Sequence, residues 1–160
     1  MQVMNIMASK RKPTPQDAQL ILQLYDLRRE AVMRKARTFL ISEFWPGSYD
    51  DFKAVSLAFG TEHNAYLRQV ITYWETAAIM VLDGIINEDL FFKTNGEPYF
   101  LWAKYKAFVP QARKDFDAPD FMMHMEQLAN KSPEAKDRVK RLDKRIKARA
   151  AQMASAKAGT

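Results

Sequence analysis

The sequence predicts an all-α protein: an irregular helical bundle of two long and several short helices, followed by a basic carboxy-terminal helix. Three observations carry this. Between Thr61 and Gly84, Leu67, Val70, Ile71, Trp74, Ala77, Ala78 and Val81 recur at spacings of three and four, the period of one buried helical face. Several apolar runs follow Ser, Thr or Asn, some with Pro just inside, the mark of a helix amino end. Glycine is scarce, five in 160 residues, so few turns need positive φ. No alternation of period two and no internal repeat stands out.

Residues 1–13 read as a flexible segment ending in Lys10, Arg11, Lys12 and Pro13. Helix one starts with Thr14 as cap, Pro15 at the first position and Asp17 three after the cap. Leu20, Leu24, Leu27, Ala31, Val32, Ala36 and Phe39 give its apolar face, and Pro46-Gly47 stops it after roughly 45 Å. Ser48 caps a short helix with Phe52, Val55, Ala58 and Phe59 inward and Gly60 at its end. The long helix follows, Thr61 capping it and Gly84 taking the left-handed turn that closes it. Asn87 caps another short helix, Pro98 opens the next, and Pro110 kinks or breaks that one. Asp117-Ala118-Pro119 caps a helix carrying Phe121, Met122, Met125 and Leu128. Ser132-Pro133 starts the last helix, which meets no breaker before about Ser155. Helix one and the 61–84 helix are expected to form the spine.

The chain carries 48% hydrophobic residues, enough to fill a core. It has no cysteine, which removes disulfides, thiolate metal sites and cysteine nucleophiles and suits a reducing cytoplasm. Its longest apolar run, Ala77 to Leu82, is far short of the roughly 20 residues of a membrane span. The amino terminus lacks the charge order of an export signal. A cytoplasmic location is expected. The net charge of +6 is uneven: residues 131–160 hold ten basic and three acidic side chains, so residues 1–130 are near neutral. A helical domain over 14–130 with a basic appendage over 131–160, projecting or loosely docked, is the expected organisation.

Tyr73-Trp74-Glu75, then Gly84-Ile85-Ile86-Asn87-x-Asp89-Leu90, then Trp102, Pro110, Arg113, Pro119 and Glu126-x-Leu128-Ala129 form an ordered set. This order resembles an uncharacterised family of small bacterial helical proteins known as a domain of unknown function, over about residues 20–130. The resemblance implies an all-helical fold and a bacterial or phage origin, and it implies no activity. Some relatives carry an amino-terminal membrane anchor; none is read in this sequence, so membrane tethering is not expected. The basic helix lies outside the resemblance.

Glu75 falls at or near the buried face of the long helix, where a carboxylate needs a partner. Arg113 and Arg37 are the candidates. A structural pair of Glu75 with Arg113 is preferred over a general acid or base, because no second catalytic group stands at a fixed spacing. His63 and His124 lack the converging ligands of a metal centre. No phosphate loop, nucleophile elbow or zinc-protease motif occurs. No catalytic, cofactor-binding or metal-binding residue is therefore assigned, and no cofactor.

The basic helix is the strongest functional signal. Val139, Leu142, Ile146, Ala150 and Met153 make an apolar seam suited to a partner helix, flanked by Lys140, Arg141, Lys144 and Arg145. The same cations can neutralise phosphates, though few aromatics are interleaved for stacking on bases. The seam lacks the Trp and Phe of an inserted membrane-surface helix. The helix could equally lie on its own domain. The expectation is a non-enzymatic interaction or assembly protein acting through this helix and an apolar patch on the body. Phosphate binding to nucleic acid is the alternative, and an anionic membrane surface ranks third.

Overall fold

The computed structural model describes residues 11–159, which form nine α-helices and no strand among the described residues. Helix α4 (Glu62–Leu82) is the spine. Thr61 accepts from the Asn64 amide at its start, and Gly84, at φ 75°, turns the chain at its end. All seven residues of the predicted stripe are buried.

The first predicted helix is in fact two, α1 (Pro15–Arg29) and α2 (Ala31–Thr38). Glu30, at φ −55° and ψ 141°, leaves the helical region, and its carboxylate accepts from the amides of Val32 and Met33. The break resets the inward face. Met33, Ala36, Phe39 and Leu40 are buried, whereas Leu27 and Val32, expected inside, are 59% and 50% exposed. Ala31 is exposed as well. The predicted loose segment 1–13 lies mostly outside the described residues. Its end is held: Arg11 clasps the buried Asp17 at 2.7 and 2.8 Å, and Asp17 also accepts from the backbone amides of Thr14 and Asn87. The Arg11 guanidinium and these amides hold the Asp17 carboxyl well below the usual carboxylate range.

Helix α2 runs into a π-helical turn, Phe39–Glu43, where the Phe44 amide reaches back five residues to the Phe39 carbonyl. The widened turn leaves carbonyls to α6 (Glu97–Tyr105). Lys104 Nζ donates to Leu40 at 2.6 Å and Ile41 at 3.3 Å, and the Tyr105 hydroxyl donates to Leu40 at 2.9 Å. Lys104 is buried, with Nζ 3.9 Å from the Trp45 ring centroid. Burial pushes its ammonium down to about 7. In the unfolded chain it keeps its proton to about 10.4, so the unfolded state binds more protons between those values. Stability should therefore rise with pH through this window, by at most about 1.4 kcal/mol per pH unit, and gain least from this group below pH 7. Urea midpoints at pH 6.5 and 9 should show that rise, and Lys104→Met should flatten it.

The remaining helices fill the sides. Ser48 and Asp51 form a capping box on α3 (Tyr49–Leu57), which buries Phe52 among Phe44, Tyr105 and Phe108. Phe59, expected inside, is 70% exposed because α3 ends two residues before it. Asn87 caps α5 (Glu88–Thr94). Pro110 opens α7 (Val109–Asp115) instead of bending α6. Helix α8 (Met123–Asn130) starts later than predicted: residues 117–122 are not helical, with Met122 left-handed at φ 54°. Ser132 caps α9 (Pro133–Ala158). Helix α4 packs on α2, α3, α5 and α8, and α9 packs on α6 and α8.

Candidate functional site

Helix α9 is two structures in one. Its first half belongs to the body: Ala135, Val139 and Ile146 are buried, and Leu142 packs beside them. Three of the seam residues assigned to a partner, Val139, Leu142 and Ile146, are thus covered by the protein itself. The alternation of apolar and charged residues looks the same whichever surface receives it. Arg138 pins this half down. Its Nη1 donates to the Phe92 carbonyl at 2.7 Å and the Asn95 carbonyl at 3.4 Å, and its guanidinium lies 3.5 Å from the Phe92 ring centroid. From Lys147 onward nearly every residue is exposed, with Met153 half-buried. Lys140, Arg141, Lys144 and Arg145 are exposed, and Arg141 pairs with Asp137 one turn earlier.

The predicted pair of Glu75 with Arg113 does not form. Arg113 bridges Glu126 at 2.6 Å and donates to the Phe121 carbonyl at 3.0 Å. Arg37, the other candidate, binds Glu97. Glu75 instead caps α8 from outside. Its carboxylate accepts from the amides of Met125 at 2.7 Å and His124 at 3.2 Å, and His124 Nδ1 lies 2.9 Å away. Met122 offers α8 no side-chain cap, so a carboxylate from α4 meets the positive helix end. Glu75→Gln keeps the shape and removes the charge. It should cost about 1–2 kcal/mol in urea unfolding, with fraying confined to α8 by NMR.

Glu97 is a polar centre that sequence reasoning missed. Arg37 Nη2 donates to it at 2.6 Å and Arg37 Nε at 3.0 Å, and Trp74 Nε1 donates at 3.0 Å. This joins α2, α4 and α6. Glu97 stands just before Pro98 at a helix start, where an acidic residue ordinarily serves the dipole, so nothing local marks it.

Two of the concave surfaces among the described residues have a substantially apolar lining. One is an apolar groove of about 610 Å³ between α1 and α4, walled by Leu24, Leu27, Tyr73 and Met80, with Arg68 and Gln69 also in its lining. The other is a cleft of about 480 Å³ between α6 and α9. Among the described residues no group of three His, Asp or Glu side chains converges on a metal position, and no helix is long and apolar enough to cross a membrane.

A family profile described as a domain of unknown function, DUF4760, matches residues 13–132. The chain belongs to that family. No curated protein and no solved structure matches it. The DUF4760 region spans α1 to α8 and stops at the α9 cap, so the half of α9 that completes the packing lies beyond the family's own bounds.

Proposed function

We propose that this DUF4760 protein is a non-enzymatic assembly protein in which two copies join through the α1–α4 face and carry the end of α9 outward as a basic arm. The observation that supports it is the apolar groove between α1 and α4. Leu27, 59% exposed, stands in that groove beside Leu24, Tyr73 and Met80. Contiguous exposed apolar surface is unusual on a monomer and marks contact sites. A second copy is the proposed occupant, because a two-fold axis near Leu27 sets the same apolar groove of each chain against the other. Helix α9 packs on α6 and α8, and none of its cations lines the α1–α4 groove.

Light scattering should give twice the chain mass at micromolar concentration, and Leu27→Glu should return it to one without changing the circular dichroism. Removing residues 147–160 should leave the mass doubled. Cutting at 131 would strip Val139 and Ile146 from the core and unfold the body. A wild-type mass of one chain across the concentration range contradicts the proposal. Phosphate binding by the exposed cations of α9 is the second reading. An affinity for DNA or RNA that falls steeply with salt and weakens when Lys140, Lys144, Lys147 and Arg149 are replaced by Gln would support it instead.

A further inference from the structure

We propose that the cleft between α6 and α9 binds a small anionic amphiphile: one compact anionic head, carboxylate or phosphate, on an apolar body, the chemistry of a fatty acid or a lysophospholipid. The site is distinct from the α1–α4 face and does not rest on the assembly reading. Its floor is apolar, formed by Ile41, Phe100 and Leu142, each partly buried and packed on the core. Its wall is cationic. Arg138, Arg141 and Arg145 stand three and four residues apart on α9, so one helical face presents all three to the cleft.

The three differ in how freely they can act. Arg138 is fixed in place, yet both its hydrogen bonds run through Nη1, and its other guanidinium nitrogens make none among the described residues. Arg145 has no hydrogen-bond or ion-pair partner among the described residues. Arg141 has only its exposed pair with Asp137. The one carboxylate in the lining, Glu97, is already held by Arg37. Counting Arg37 and Asp137, four guanidinium groups face two carboxylates, and the imbalance favours an anion. The guanidinium fork matches the paired oxygens of a carboxylate or phosphate. About 480 Å³ lies within the usual range of small-ligand sites. A polyanion such as nucleic acid would use the cations and leave the apolar floor bare. An amphiphile uses both.

Calorimetry with dodecanoate, inorganic phosphate and neutral dodecyl maltoside tests this on the full chain, with amide shifts of Gly96 and Phe100 as the site readout. Dodecanoate should bind at one per chain and move both amides. Arg141→Gln/Arg145→Gln, both at exposed positions, should weaken it at least tenfold, while Lys140→Gln/Lys144→Gln should leave it unchanged. Phosphate binding as tightly as dodecanoate would remove the apolar floor from the account. Maltoside binding as tightly would remove the anionic head. Equal affinity in the arginine variant, or no dodecanoate binding at all, would overturn the site.

Discussion

Trp74→Ala should be the most damaging single change in the protein, costing about 3–5 kcal/mol of the roughly 5–15 kcal/mol that holds a domain together. Trp74 is wholly buried at the middle of α4. Its ring meets Tyr73 and Phe91 edge-on, with centroids 4.8 and 6.4 Å away, and the Arg28 guanidinium lies 5.3 Å from it. Alanine would leave a cavity at the junction of four helices and also remove the indole donor from Glu97. For a domain of this size the loss corresponds to a fall of about 10–15 °C in Tm. Trp74→Phe separates the two contributions, because it restores most of the volume and none of the hydrogen bond. It should recover more than half of the loss. Equal damage from both variants would mean that the hydrogen bond outweighs the packing.

Glu97→Ala comes second, at about 2–3 kcal/mol. Removing one partner of a buried pair strands the other, at up to about 3–5 kcal/mol where burial is complete. Glu97 is 9% exposed and Arg37 26%, so water relieves part of the cost. An arginine guanidinium does not give up its proton in a protein, so Arg37 stays charged and its desolvation is unrelieved when Glu97 is gone. Arg37→Met in the Glu97→Ala background should therefore restore stability, since an apolar pair at the site needs no counter-charge. Thermal unfolding of the two single variants and the double variant measures this directly. Additive losses would show that the pair is not coupled.

Periodicity specified α4 residue by residue because its stripe is buried along its whole length, leaving no alternative register. The caps at Thr14, Ser48, Thr61, Asn87 and Ser132 were legible because each satisfies amides within its own turn. Features that depend on an unusual cap or a distant partner were not. The break at Glu30 lies between two apolar stripes that read as one, and its cap is a glutamate, outside the usual capping residues. Glu75 could be seen to need a partner. That the partner was the bare end of α8 followed from Met122 turning left-handed, which nothing nearby in sequence requires. Most of the polar centres, Glu97 with Arg37 and Lys104 with the π-helical turn, join residues more than fifty positions apart. The cleft shares that origin, since its floor comes from the DUF4760 body and its arginines from beyond it.

Helix α9 divides near Lys147, its first half a structural member of the body and its second half an exposed arm. Hydrogen–deuterium exchange along this one helix tests it most directly. Amides of residues 137–146 should exchange as slowly as those of α6, while residues 148–158 should exchange within seconds. Uniform fast exchange along the whole helix, with α6 still protected, would contradict the claim.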